Sequence, residues 1–168
     1  MRKLPFTRWE VLTESAAEGE ALAGELGLSR VVATILRNRG IDSLEKSAKF
    51  LSGPLSDLCD PFLLSGMDAA VARIEQALNA GERILLYGDY DVDGVSGTAL
   101  LTRVLQGLGG DVHWYIPHRV REGYGVSAHA FQEAAQQGAK LIITTDCGIG
   151  AVAEVALMAD QGVDVIVT

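Results

Sequence analysis

Residues 83–101, RILLYGDYDVDGVSGTALL, decide the reading of this chain. The unbroken apolar run RILLYG (83–88) has the composition of a strand buried on both faces. It passes directly into DYDVDG, where Asp89, Asp91 and Asp93 stand at alternate positions. Gly94, Ser96 and Gly97 then shape a turn into a helix expected from Ser96 to about Leu108.

Working outward, the same alternation repeats downstream. The runs VHWYIP (112–117), KLIITT (140–145) and VDVIVT (163–168) are separated by helical patterns from Ser127 to about Gln137 and from about Ala151 to Gln161. Strand and helix in strict alternation imply an α/β fold, a parallel sheet with covering helices. Upstream, a helix over about 67–80 keeps Ala70, Val71, Ile74 and Leu78 on one face and stops at Gly81. Before it, SAAEGEALAGELG, SRVVATILRNRG and SLEKSAKFLSG each open near a Ser and close at a Gly, namely Gly27, Gly40 and Gly53. In the second of these, Val31, Val32, Ile35 and Leu36 follow helical spacing, beside a basic face of Arg30, Arg37 and Arg39. The expected organisation is a small helical subdomain over 1–65 and the α/β domain over 66–168.

The 168 residues are 48% hydrophobic and 21% charged, and so can bury a core without staples. Two cysteines, Cys59 and Cys147, have no partner at a metal-ligand spacing, which argues against a zinc site or disulfide framework. MRKLPFTRWEVL lacks the apolar core of a signal peptide, and no apolar run approaches the length of a membrane span, so a cytoplasmic location without membrane contact is expected. The net charge of −8 argues at first sight against nucleic acid. Residues 82–168 hold 5 basic and 11 acidic side chains, so most of the excess lies in the half with the aspartates, where cation-binding carboxylates would account for part of it.

Ligands of parallel sheets bind where strand ends turn into helices. Those ends carry GDYDVDGVSG, PHRVREGYG and TDCGIG. Three aspartates crowded at one turn repel, and a divalent cation relieves the conflict. Helix capping would explain one or two of them. Asp146 in TTDCGIG is expected to project from the same sheet edge, with a helix cap as the lesser alternative for that residue taken alone. Together the carboxylates, the glycine-rich turns and the helix N-termini make a site for metal ions and a phosphate. In the loop between them, Arg119 and Arg121 offer forks to phosphate and Tyr124 a ring to stack on a base, unless the loop is merely solvated. His113, His118 and His129 lack ligand spacing and read as surface or packing residues.

LLYGDYDVDGVSGTALL resembles the first motif of RecJ-type single-strand-specific exonucleases of the DHH phosphoesterase superfamily. IPHRVREGYGVS and LIITTDCGI resemble the segments that follow it in that family, in the same order, and VVATILRNRGIDSLEKSAKFL resembles its helical lead-in. The resemblance implies a DHH-type, Rossmann-like fold with two Mn2+ or Mg2+ ions held by Asp91, Asp93 and Asp146, supported by Asp89. It implies that Arg119 contacts substrate phosphate, with less standing for Arg121, while Tyr124 and the turn of Gly94, Ser96 and Gly97 complete the substrate side. The implied activity is 5′-to-3′ hydrolysis of single-stranded DNA in repair and recombination, with metal ions that activate a water and steady the leaving oxygen. Implied partners are single-stranded DNA with a 5′ end, a single-strand-binding protein and a helicase.

The family's Asp-His-His motif would follow VDVIVT directly, and the chain stops at Thr168, so by itself it is expected to bind metal weakly and to hydrolyse little or nothing. Three alternatives stand beside this reading. A non-catalytic RecJ-like scaffold is disfavoured by the intact DYDVDG and TTDCGI. A DHH phosphodiesterase acting on oligoribonucleotides or small nucleotides shares the metal motif. A phosphoacceptor receiver domain also gathers aspartates at strand ends, but lacks the helical lead-in.

Overall fold

The structure, a computed structural model, describes residues 16–168, with side chains from residue 20 onward. The segment MRKLPFTRWEVL and the Ser15 expected to open the first helix lie outside the described residues. The chain divides into two compact units, one ending at Asp60 and the other running from Pro61 to Thr168. The division falls five residues before the 65/66 boundary expected from the sequence.

The first unit is helical: α1 (Ala16–Leu26), α2 (Arg30–Asn38) and α3 (Leu44–Ser52). Serine side chains set the starts, with Ser29 accepting from the Val32 N–H and Ser43 from the Lys46 N–H. Leu22, Ala23 and Ala33 form its small core, joined by Leu26 at the edge. The expected apolar face of α2 is corrected in part. Leu36 is buried, but Val31, Val32 and Ile35 are exposed, and the buried stripe runs through Ala33 instead. A small residue lets α1 approach closely where a larger one would hold it off.

The second unit runs α4 (Met67–Ala80), β1 (Arg83–Gly88), α5 (Val92–Gly107), β2 (Asp111–Tyr115), α6 (Ala128–Gln136), β3 (Ala139–Thr145), α7 (Val152–Asp160) and β4 (Asp164–Ile166). All strands are parallel, in the order β2-β1-β3-β4. The period-two alternation of a strand sorts its side chains between two cores. Ile84, Leu86, Leu141 and Ile143 face α4 and α5, meeting Ala77 and Leu105. Leu85, Tyr87 and Ile142 face α6 and α7, meeting Phe131, Ala134 and Met158. Helices therefore cover both faces, and the apolar runs of β1 and β3 follow from that double burial.

Arg73 of α4 ties down the opposite edge of the sheet. Its guanidinium reaches Asp164 at 2.5 Å, Glu82 at 2.7 Å and the Lys140 carbonyl at 3.2 Å, joining the starts of β1, β3 and β4. The other edge, where the strands end, is left to the loops that carry the aspartates. Among the described residues no helix is long and apolar enough to cross a membrane.

Candidate metal centre

β1 continues one residue past Gly88, since the Asp89 N–H donates to the Thr145 carbonyl at 3.1 Å. That bond holds Asp89 beside the end of β3, where the residue is 4% exposed. The chain then turns into α5 earlier than the sequence suggests. Asp91 is the N-cap, and its Oδ1 accepts from the backbone N–H groups of Asp93 and Gly94 at 3.1 Å each. Helix α5 thus begins at Val92 and not at Ser96, so Asp93, Gly94, Ser96 and Gly97 are helical residues and not turn residues.

The glycines have a packing reason. A Cβ on Gly94 would lie 2.5–2.7 Å from the backbone O, N and C of Asp89, and one on Gly97 would lie 2.5 Å from the Thr145 methyl group. The bare face of α5 lets the helix N-terminus press against both strand ends. Ser96 turns back along its own helix, its hydroxyl donating to the Val92 carbonyl.

Asp146 follows β3 and carries the one positive φ, 61°, among the described non-glycine residues. Aspartate tolerates this left-handed conformation better than most side chains, and such backbone strain gathers at functional sites. Asp146 does not cap a helix, because α7 starts later, after Ala151. Its side chain meets the first cluster: Asp89, Asp91 and Asp146 offer carboxylate oxygens that all lie within 4.8 Å of one another. Asp93, exposed in the first turn of α5, lies outside that trio.

No Lys, Arg or His among the described residues forms an ion pair with the trio. The Asp146 carboxyl is held above the usual carboxylate range. Loss of hydration is the largest cause, followed by the charges of Asp91, Asp93 and Asp89. Three convergent oxygen donors with uncompensated negative charge fit a hard divalent cation such as Mg2+ or Mn2+.

The loop after β2 borders this cluster. The Arg119 guanidinium lies 5.0 Å from the Tyr90 ring centroid, and Tyr90 stands edge-on to Tyr124 at 6.4 Å. Tyr124 is exposed and sits in the field of the carboxylates. Its phenol is pushed up chiefly by the charge of Asp89, then by loss of hydration and by Asp146. A cleft of about 510 Å³ opens here, lined by Tyr124, Gly125, Asp146, Cys147, Ile149 and Thr168 among others.

The loop is anchored from below. The buried Tyr87 hydroxyl donates to the Gly125 carbonyl and accepts from the Ser127 N–H, each at 3.0 Å. Burial pushes its phenol up to about 12. Sequence reasoning missed Tyr90, although an aromatic ring between two site aspartates was signal enough, and it missed Tyr87, which reads as plain core.

Residues 83–168 match the model of the DHH family, N-terminal domain. Among curated proteins, the chain is 41% identical over 161 residues to the single-stranded-DNA-specific exonuclease RecJ of Bacillus subtilis, covering 96% of this chain and 20% of that protein. It is 49% identical over 105 residues to the RecJ of Thermus thermophilus, covering 62% and 16%. Among solved structures, exonuclease RecJ bound to manganese matches with a TM-score of 0.61 at 47% identity, covering 68% of this chain and 29% of that one. RecJ of Thermus thermophilus in complex with Mn2+ matches with a TM-score of 0.63 at 35% identity, covering 95% and 22%. The chain thus spans about a fifth of the length of the curated relatives it matches. The family match covers the whole of β1 to β4 with the carboxylates at the strand ends, and the chain belongs to the DHH family.

Proposed function

We propose that this chain contributes the carboxylate half of a site that hydrolyses phosphodiester bonds of single-stranded DNA, releasing nucleotides from a 5′ end in DNA repair and recombination. The observation that carries the reading is the meeting of Asp89, Asp91 and Asp146 from two strand ends, within 4.8 Å and without a basic partner among the described residues. The relatives are single-stranded-DNA-specific exonucleases, and solved relatives hold Mn2+ or Mg2+.

Asp89, Asp91 and Asp146 would hold the divalent ions, with Asp93 in the first turn of α5 as a further donor. The ions would supply Lewis-acid stabilisation of the phosphate and lower the pKa of a water at neutral pH. The remaining tasks fall to the chain. Arg119 presents a planar fork to the phosphate, orienting it for in-line attack. Tyr90 and Tyr124 offer faces on which a splayed base stacks. The N-terminus of α5 adds a favourable dipole for a nearby anion, and Asp91 both caps that helix and faces the cluster.

The 168 residues alone bind divalent cations and turn over little substrate, the full activity belonging to a protein of the relatives' length. A single-strand-binding protein and a helicase are the proposed partners. The test is Mn2+-dependent release of nucleotides from 5′-phosphorylated single strands by such a protein carrying this sequence. Asp91→Asn and Asp146→Asn should each abolish release, and retained activity in either would refute the assignment.

A further inference from the structure

One side chain outside the roles above, Glu122, spends both of its oxygens on the loop that borders the carboxylates. Oε1 accepts the His118 backbone N–H at 2.6 Å, and Oε2 accepts the Tyr115 hydroxyl at 2.6 Å. Both bonds are short and charge-assisted, which marks them as stronger than neutral ones. The first closes the 118–122 turn, already spanned by bonds from the N–H groups of Arg121 and Glu122 to the His118 carbonyl at 3.0 and 2.9 Å. The second ties that turn to the end of β2.

Tyr115 is itself held in place. Its ring stacks on Tyr87 with centroids 5.6 Å apart, and Tyr87 grips the far end of the same loop at Gly125 and Ser127. Two stacked tyrosines on adjacent strands therefore hold the loop at both ends, one through Glu122 and one directly. Arg119 lies inside the turn that Glu122 closes, and Tyr124 lies between the two anchors. The Val120 N–H also donates to the His118 ring at 3.3 Å, so the Glu122 carboxylate adds to bonds within the turn and is what links that turn to β2, with Arg119 held over Tyr90 inside it.

We infer that Glu122 is a positioning residue, bridging Tyr115 and the His118 N–H so that Arg119 and Tyr124 are presented to the phosphate and base of a single-stranded substrate at the carboxylates. This rests on the reading of the 118–125 loop as substrate-facing. An ionised glutamate is suited to the task because it accepts at both oxygens, whereas glutamine has only one acceptor oxygen and cannot reproduce both bonds without rearrangement.

The experiment compares this chain with Glu122→Ala and Tyr115→Phe, using amide hydrogen exchange, phenol titration and binding of a 5′-phosphorylated tetrathymidylate in the presence of Mn2+. Glu122→Ala should speed exchange of the His118 amide by about tenfold or more. The Tyr115 phenol, pushed up to about 12 first by its bond to Glu122, should fall toward its ordinary value. Affinity for the oligonucleotide should drop about tenfold while Mn2+ affinity is unchanged. Arg119→Ala combined with Glu122→Ala should lose less than the sum of the two single losses, since both changes remove the Arg119 contact and only Glu122→Ala also loosens Tyr124. Tyr115→Phe, which leaves the carboxylate in place, should show a smaller loss of the same kind.

Unchanged His118 exchange in Glu122→Ala, or oligonucleotide losses that simply add to those of Arg119→Ala, would overturn the inference. A different pattern separates the underlying reading. If Arg119→Ala and Tyr124→Ala bind the oligonucleotide like the parent while Glu122→Ala still frees the His118 amide, the loop is held as described and its role toward substrate is refuted.

Discussion

Replacing Gly94 with alanine tests whether the first turn of α5 is packed to its limit against the acidic strand end. A Cβ at residue 94 would stand 2.5 Å from the Asp89 carbonyl oxygen, against the 3.4 Å at which ordinary contact begins, so the turn must withdraw by about 0.9 Å. The obstacles are backbone atoms and cannot swing aside. Against backbone atoms the overpacking falls in the upper part of its usual range, about 2–3 kcal/mol, and alanine returns ~1 kcal/mol through helix propensity, leaving a net loss of about 1–2 kcal/mol. Because Asp91 caps the same turn through the Gly94 N–H, the withdrawal also pulls one carboxylate away from the other two. Mn2+ affinity should then fall by about tenfold or more, as for other changes that misplace a metal ligand. Urea unfolding gives the first quantity and calorimetric titration with Mn2+ the second. Gly107→Ala, at the other end of α5 with open space around it, is the control and should be neutral or stabilising. If Gly94→Ala matches the parent in both stability and Mn2+ affinity, the close-packing argument fails.

The remaining predictions concern charge and packing. The raised pKa of Asp146 means that its ionised form is disfavoured by folding, a cost present above its folded pKa and relieved as pH falls through that value. Metal-free protein should therefore gain from mild acidification at this site, while Asp111 and Glu122, whose pKa values are lowered, lose their contributions as pH falls through theirs. Melting curves from pH 7 downward for the parent and Asp146→Asn check the sign: the variant should lack the gain. Tyr87→Phe strands the Gly125 carbonyl and the Ser127 N–H and should cost about 1–3 kcal/mol in urea unfolding, with little change in Mn2+ affinity. Phe131→Ala, which removes a fully buried ring packed edge-on against Tyr87, should cost about 3–5 kcal/mol by the same measurement.

The parallel sheet was legible because β1 and β3 are buried on both faces, and double burial writes itself as unbroken apolar runs. That Asp146 meets the aspartates after β1 was legible for a related reason, since parallel strands bring their carboxyl ends to one edge, but the sequence reading put Asp93 among the main ligands and Asp89 only in support. What stayed hidden depends on contacts distant in sequence. Gly94 and Gly97 read as turn residues, and only the strand ends pressed against them explain glycine inside a helix. Asp93 and Asp89 look equivalent in DYDVD, yet the early start of α5 puts the first in an exposed helical turn and the ladder bond to Thr145 puts the second in the trio. In α2, Val31 and Ile35 have the spacing of a core face but remain exposed, since a small core formed around Ala33 leaves them uncovered. Tyr87 gave no local sign of its contacts, because its partners lie 38 to 40 residues away, whereas the partners of Glu122 lie only 4 and 7 residues away and become visible once the turn after β2 is folded.

The most direct test of the central claim is calorimetric titration of Mn2+ into this chain and into Asp89→Asn, Asp91→Asn and Asp146→Asn. Saturable binding is expected in the parent, weakened in each single variant and lost when Asp91 and Asp146 are changed together. The metal-free variants should be no less stable than the parent, since each removes one of three mutually repelling charges. Equal Mn2+ binding in the parent and in the double variant would show that these carboxylates do not form the metal centre.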